Sequence, residues 1–461
     1  MMKFEIDNEV RVIEPTKEFR KWVIDNYRMN NPEYSKKQNM GFSTRGISKT
    51  ISLFREIGGD IILPFGTIRE INKHFNKEFQ NNDIKIKVGK RVQYDVGNNL
   101  ELYEYQQKAV EKLIEAKFGI LKAPAGCGKT QIGIALACKL KCRTLWLTHT
   151  QDLLNQSYSR AKQFIDSDFL GKITEGKVNV GEFMTFATVQ TMSKLDLSLL
   201  KNEFDLIIVD ECHRVFHNAN KMGQFSKIIN GISCLRKIGL SATVHRADGL
   251  TQGMFALMGK VVHEISEKDA EQRIMQLSIR QILTNYKIST SCLDYDGTII
   301  YSKLLTNIAE NQERNKLILQ TLVKEQENYC LVLSDRILQL EYLQEKLESV
   351  GLESKILVGK TPKKEREEIL ENARNGKINF ILSTYALAKE GLDVPILNRL
   401  FFATPQSDFA IVTQSVGRIA RIAEGKKDSV VIDFVDKNSN TLLKKYKKRV
   451  THYKKLLCKF E

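Results

Sequence analysis

The chain has 461 residues, with 71 Lys and Arg against 55 Asp and Glu, a formal net charge of +16. That length accommodates about three domains of ~150 residues each, excludes a small stapled module, and the charge points to an anionic partner, nucleic acid or a membrane surface. No run of about 18 apolar residues is present to cross a bilayer, and the alternating, acidic start from Met1 to Arg11 lacks the pattern of a secretory leader, so a soluble, unexported protein is expected. The eight cysteines lack paired C-x-x-C spacing and read as free thiols of a reducing cytoplasm, with Cys138 and Cys142 as small buried residues on one helical face.

Residues 1–98 carry short alternating runs, Lys3 to Val12, Thr50 to Phe54 and Asp60 to Leu63, divided by turn signals at Gly41, Gly46, Gly58-Gly59 and Pro64-Phe65-Gly66. The pattern predicts a small α+β accessory domain. Lys36, Lys37, Arg45, Lys49 and Arg55 surround the polar segment Tyr34 to Lys49, which reads either as a basic loop gripping a phosphate backbone or as a solvated surface. The stretch Lys85 to Arg91 then leads to a junction at Asn98-Asn99.

From there the pattern is strand, helix, strand, repeatedly. Phe118 to Leu121, Thr144 to Thr148, Phe183 to Thr188, Leu206 to Val209 and Lys237 to Leu240 predict a parallel sheet covered by helices, within residues 99–265. A crossing region is expected around residues 262–310. A second sheet follows within residues 266–440, from Tyr329 to Leu333, Ser354 to Leu357, Phe380 to Ser383, Arg399 to Ala403 and Ser429 to Phe434. Residues 441–461 form a basic tail in which Leu443, Tyr446, Val450, Tyr453, Leu457 and Phe460 recur at helical spacing. A C-terminal helix with one face docked and a basic face free to contact phosphates is expected; a membrane-surface helix is the other reading, disfavoured because nothing else in the sequence suggests lipid, so no membrane partner is expected.

The chemistry concentrates at the ends of strands. Ala123-Pro124-Ala125-Gly126-Cys127-Gly128-Lys129-Thr130 follows one strand and opens a helix, where backbone N–H groups and a positive helix end suit a triphosphate. Lys129 is placed to reach the β- and γ-phosphates and Thr130 to offer its hydroxyl to Mg²⁺. Leu206 to Val209 ends in Asp210 and Glu211, which suit metal binding and activation of a water. His213 and His217 are four apart, but no glutamate follows His213 as a zinc-protease motif requires. In Gln414 to Arg421, Arg418 and Arg421 lie one turn apart, where positive charge can stabilise a transferring phosphoryl group.

Taken in order, these motifs resemble those of the superfamily 2 helicases and translocases over roughly residues 100–435. The alanine-led phosphate loop is similar to motif I, Asp210-Glu211-Cys212-His213 to the D-E-x-H box, Ser241-Ala242-Thr243 to motif III and Gln414 to Arg421 to Q-x-x-G-R-x-x-R. The resemblance implies an α/β fold of two tandem RecA-like domains with the accessory domain and basic helix attached. It implies ATP and Mg²⁺ as ligands, with catalysis by Lys129, Asp210, Glu211, Arg418 and Arg421 and metal binding by Thr130 and Asp210. Nucleotide contacts fall on Gln106, Ala125, Gly126, Cys127, Gly128, Lys129, Thr130, Gly391 and Asp393, although Tyr103 stands where the family often has an arginine. Coupling falls on His213, Ser241, Thr243 and Gln414, and nucleic-acid contacts on Thr150, Thr188, Gln190, Thr191 and Thr384, with Lys36, Lys37 and Arg45 as further candidates.

Ser241 to Leu250, with Val244 in place of a proline, Asn311 to Lys316, and the Asn31 to Tyr34 and Leu63 to Gly66 segments are similar to XPB-type and phage branch-migration helicases. The expected function is an ATP-dependent helicase or translocase, monomeric or weakly oligomeric, that remodels forked or branched DNA. An RNA helicase, a translocating subunit of a restriction or remodelling complex, and a clamp that only binds ATP are the alternatives.

Overall fold

Alternating apolar side chains make Lys3–Ile6 and Glu9–Ile13 an antiparallel hairpin with Phe4, Ile6, Val10 and Val12 buried on one face. In a computed structural model of the chain, residues 2–80, 82–85, 99–218, 222–244, 246, 248–270 and 275–461 are described. The expected junction at Asn98 and all of Lys85 to Arg91 except Lys85 lie outside them. The chain divides into two compact units, Met1–Pro124 with Gly128–Ser266, and Glu267–Glu461 with Ala125–Cys127.

The hairpin belongs to a five-stranded sheet in the order Arg55–Ile57, Asp60–Pro64, Glu9–Ile13, Lys3–Ile6, Asn82–Ile84, backed by the helix Lys17–Tyr27. Its core runs on into the rest of the unit, because Phe118, Ala256 and the half-buried Phe216, Leu235 and Leu250 pack against it. Phe65 stands edge-on to Phe118 with ring centroids 5.1 Å apart. A Cβ on Gly66 would overlap the backbone of Phe255, Ala256 and Gly259, so only glycine allows this approach. Arg69 donates to the carbonyls of Ala116 at 2.5 Å and Phe118 at 2.7 Å and lies over the Phe118 ring.

The second sheet of this unit has the order Lys177–Asn179, Leu170–Thr174, Met184–Thr188, Thr144–Thr148, Leu206–Asp210, Arg236–Ser241, Phe118–Lys122, Val261–Glu264. All pairings are parallel except that of Lys177–Asn179. Thr144–Thr148 and Leu206–Asp210 are buried throughout, as expected of strands covered on both faces. Cys138 and Cys142 do not share a helical face: the helix ends at Leu140, and Lys141 at φ +47° turns the chain away.

The second unit holds a parallel sheet in the order Ser354–Leu357, Phe380–Thr384, Cys330–Ser334, Arg399–Phe402, Ser429–Asp436, Leu277–Thr284, Lys459–Phe460. Two expectations are corrected here. The supposed crossing region contains the strand Leu277–Thr284, paired along its whole length with Ser429–Asp436, and the helix Tyr301–Glu310. The tail helix, Asn440–Lys455, docks through Tyr453 of the expected face, but its other buried residues are Leu442 and Arg449, while Leu443, Tyr446 and Val450 are only half-buried. The reason is electrostatic: Arg449 forms two 2.8 Å hydrogen bonds to the buried Asp433, which also accepts from Tyr453 Oη at 2.9 Å. Arg314, in the Asn311 to Lys316 motif, makes a similar buried pair with Asp436 at 2.9 Å.

Lys237 is the one ammonium in the first unit whose burial is complete among the described lysines. It lies 4.2 Å from the Phe65 ring and 3.4 Å from the Asn8 carbonyl. Burial pulls it down to about 8, with Asp7 and Glu9 among the groups opposing the shift. The unfolded chain holds the same proton to about 10.4, so between these values the unfolded state binds more protons and this group makes stability rise with pH. Lys237→Met is expected to stabilise the protein at pH 7 by about 1–3 kcal/mol, the advantage shrinking toward pH 10. Urea unfolding at both pH values checks this; a variant weaker than its parent at pH 7 would contradict it.

Candidate nucleotide site and nucleic-acid interface

In an open parallel sheet ligands collect beyond the carboxyl ends of the strands, and that end of the first unit carries most of the predicted residues. Phe118–Lys122 leads through the loop to the helix Lys129–Leu140, with Thr130 in its first turn. Gly126 at φ +87° and Gly128 at φ +83° take left-handed conformations that side chains disfavour. Lys129 folds back on the loop, its Nζ donating to the carbonyls of Ala123 and Pro124 at 3.2 Å. Gln106 is fully buried, accepts the Tyr103 N–H at 3.1 Å and presses its amide against Gly128. Its amide thus touches the phosphate loop itself.

Asp210 closes its buried strand, and Glu211 follows at φ +50°, a left-handed turn that aims the two carboxylates differently. Asp210 Oδ1 accepts the Glu211 N–H at 3.0 Å. Burial raises the Asp210 proton affinity, Glu211 raises it further, and Lys129 opposes them. A carboxylate pair with one member buried and the other half-buried is stabilised by cationic charge, which is the chemistry of a divalent-metal and phosphate site.

His213 Nδ1 lies 3.2 Å from Glu211 Oε2 and 3.1 Å from Ser241 Oγ. Ser241 Oγ donates to the Thr243 carbonyl at 2.6 Å and accepts the Thr243 N–H at 3.2 Å. Its hydroxyl proton is thus used, which assigns the Nδ1 proton to His213. His213, Ser241 and Thr243 form one hydrogen-bonded chain, with the Glu211 carboxylate in close contact at its His213 end. His217 is separate: it is buried near Arg55, and burial pushes it down to about 4.

Arg246 and Asp248 were not among the predicted site residues, although they lie in a stretch singled out for its resemblance. Arg246 holds Asp248 through bonds of 3.0 and 2.6 Å and donates to the carbonyls of His213 at 2.6 Å and Val215 at 3.2 Å. Gly249 at φ +77° closes the turn. The R-x-D-G pattern is a clamp that ties this segment to the one bearing His213.

The predicted nucleic-acid residues of the first unit also gather. Thr148 and Thr188 are register partners at the ends of adjacent strands. Thr150 caps the next helix by accepting the Leu153 N–H at 3.3 Å. Thr188 is buried and donates to Thr191 Oγ1 at 3.2 Å, while the exposed Gln190 donates to the His149 carbonyl at 2.7 Å. Lys36 and Lys37 do not sit on a loop, as expected, but in the helix Pro32–Asn39, started by the Asn31 cap and Pro32. Lys37 pairs with Glu33 at 3.4 Å, and Arg45 is exposed on the loop that follows.

In the second unit, Thr384 ends the strand Phe380–Thr384, and Gly391 closes the helix Tyr385–Gly391, its surroundings lying outside the described residues. Arg418 donates to the carbonyls of Ala388 at 2.9 Å and Leu392 at 3.2 Å. Arg421 is not one helical turn further on: the helix Phe409–Ile419 has ended, and Arg421 is ion-paired with Asp393. Lys426, missed by sequence reasoning, donates to the carbonyls of Leu397, Ile419 and Arg421 at 2.6 to 2.8 Å and joins these segments. Gln414 is buried, and its Oε1 has no hydrogen-bond partner among the described residues.

Residues 99–246 match the family described as type III restriction enzyme, res subunit, and residues 313–423 match the helicase conserved C-terminal domain. The L396 protein of Acanthamoeba polyphaga mimivirus, described as an ATP-dependent RNA helicase, is 30% identical over 362 residues, 77% of this chain and 68% of that protein. The chain belongs to the superfamily 2 helicases. Another relative of this helicase, the DNA 3'-5' translocase XPB2 of Sulfurisphaera tokodaii, is 26% identical over 384 residues, 75% of this chain and 83% of the other. Among solved structures, Saccharomyces cerevisiae Dbp5 bound to RNA and ADP-BeF3 aligns with a TM-score of 0.53 at 15% identity, over 80% of this helicase and 95% of Dbp5. Among the described residues no helix is long and apolar enough to cross a membrane, and no cluster of His, Cys, Asp and Glu forms a separate metal centre.

Arg246→Lys keeps the charge but loses the two-pronged hold on Asp248. The helicase is expected to lose about tenfold in kcat for ATP hydrolysis, equivalent to ~1.4 kcal/mol, with KM changed less than about twofold. Steady-state phosphate release checks it; an unchanged kcat would show the clamp to be structural only.

Proposed function

We propose that this helicase is a DNA-stimulated ATPase that tracks along one strand and remodels forked or branched DNA. The observation that carries the reading is the five-stranded N-terminal sheet built onto the first motor sheet through Phe65, Gly66 and Arg69, with an acid-free basic segment from Tyr34 to Arg55. A motor with such a fixed attachment can hold duplex while its strand-end residues hold a single strand. The likeness to a DNA translocase of the XPB type supports DNA.

In this reading the backbone of Ala125 to Gly128 and Lys129 hold the phosphates of ATP, and Gln106 and Gly391 flank the nucleotide. Thr130 and Asp210 hold Mg²⁺, which when bound neutralises charge on the phosphate oxygens. Glu211 orients the attacking water and takes its proton. The His213 Nδ1–H beside Glu211 links that proton's arrival to Ser241 and Thr243. Arg418 and Arg421 stabilise the transferring phosphoryl group, with Asp393 orienting Arg421, and Gln414 couples the helix that carries Arg418 to the cycle. Thr150, Thr188, Gln190, Thr191 and Thr384 hold strand phosphates.

The RNA helicase description of the mimivirus relative favours RNA as a second reading. One panel separates the two: ATPase rate and strand release on duplex, fork, three-way and four-way junctions, each as DNA and RNA. The expected outcome is strongest stimulation and release on branched DNA. Greater stimulation by RNA forks would replace the reading with the second. Lys129→Ala is expected to abolish turnover on every substrate while DNA binding remains; normal DNA-stimulated turnover would refute the motor assignment.

A further inference from the structure

The helix Pro32–Asn39 ends in a way that leaves an aromatic ring in solvent. Gly41 at φ +71° donates to the Gln38 carbonyl at 3.1 Å, and Phe42 donates to the Lys37 carbonyl at 2.9 Å, the two bonds of a Schellman motif. In that motif the residue at the Phe42 position ordinarily packs on an apolar side chain about one turn back. Here those positions are Lys36 and Lys37, and Phe42 is left 60% exposed with Met40 58% exposed.

The loop that presents Phe42 has a firm base. Asn31 donates its side-chain amide to the Ser48 carbonyl at 2.8 Å and its N–H to the Lys49 carbonyl at 2.9 Å. Beyond it, Arg28–Asn30 pairs with Thr50–Ser52. The root of the helix rests on the motor: a Cβ on Gly249 would meet Pro32 at 3.7 Å, and Gln252 donates to the Asn26 carbonyl. Gly249 belongs to the Arg246 clamp, which follows the carboxyl end of Arg236–Ser241. Thr150 and Gln190 lie beyond the carboxyl ends of neighbouring strands of the same sheet.

We propose that this loop is a contact for the branch point of a nucleic acid, with Phe42 stacking on the first base freed where a duplex opens and Lys36, Arg45 and Lys49 holding the flanking phosphates. The inference deepens the DNA-remodelling reading and rests on it. A paired base inside a duplex has both faces covered, whereas the last pair at a branch offers one open face to a ring. Base–aromatic stacking contributes about 1–3 kcal/mol per base, and apolar side chains are used elsewhere as wedges between base steps. The surroundings select the partner. Between Tyr34 and Arg55 there is no Asp or Glu, which suits phosphates. Two isolated apolar side chains fall far short of the ~1,000 Å² that a specific protein interface buries.

The test is equilibrium binding of the full chain, without nucleotide, to a DNA fork and to a blunt duplex of equal length. The fork carries 2-aminopurine in its first base pair. The wild-type protein is expected to prefer the fork and to change the 2-aminopurine fluorescence. Phe42→Ala is expected to weaken fork binding about tenfold and to abolish the fluorescence change, with duplex binding altered less than about twofold. Phe42→Trp, which keeps a stacking face, retains both signals. Tyr295→Ala, at a fully exposed ring between Asp294 and Asp296, serves as the control and leaves both unchanged. Fork binding by Phe42→Ala equal to wild type, equal losses on fork and duplex, or no fluorescence change in the wild-type complex would overturn the proposal. If these signals hold but the wild-type protein releases no strand from any branched DNA, the remodelling reading fails and the contact stands.

Discussion

Two carboxylates at the end of a fully buried strand stay ionised together only where positive charge faces them, and the first unit is arranged to satisfy that constraint. Burial and Glu211 both favour a proton on Asp210, while Lys129 resists it. Lys129 meanwhile rests on carbonyls of its own loop. The loop, the helix it opens and the buried strand thus share one electrostatic problem, for which a metal-bound phosphate is the complement. The left-handed turn at Glu211 gives the second carboxylate a different outlook and a different partner, His213.

From that carboxylate the contacts run outward without a gap. His213 meets Ser241, Ser241 is closed on Thr243, and Arg246 returns from beyond Thr243 to hold the His213 carbonyl. The turn that follows Arg246 lies against Pro32 of the N-terminal part, whose sheet shares its core with Phe118. A change in the charge on the nucleotide therefore has a contiguous packed route to the N-terminal loop. Coupling along that route requires a two-state element whose equilibrium both ends bias.

Much of this was legible because buried parallel strands read as unbroken apolar runs, as Thr144–Thr148 and Leu206–Asp210 do, and because glycines and acids follow them at fixed positions. The strand Leu277–Thr284 was hidden because Arg280 and Gln281 break its apolar run, near the side of the sheet covered only by Lys459–Phe460, where Arg280 pairs with Glu325 and Glu461. The helix Pro32–Asn39 has no buried residue, so periodicity is silent; its Asn31, Pro32 and Gly41 signals were present and outweighed by its polarity. Arg449 and Lys237 were unreadable for a deeper reason. A buried cation is specified by a partner far along the chain, Asp433 or the Asn8 carbonyl and Phe65 ring, and local sequence does not encode that meeting. Arg246 and Asp248 lay in a stretch noted only for its likeness to relatives, and geometry supplied their role.

The central claim is that Glu211 activates water at a nucleotide held by the neighbouring loop. The most direct measurement is single-turnover hydrolysis of ATP by Glu211→Gln, paired with equilibrium nucleotide binding. The account predicts affinity within about threefold of wild type and hydrolysis slower by a factor on the order of 10²–10⁴, the range of a lost general base. Hydrolysis at the wild-type rate with unchanged binding would contradict it.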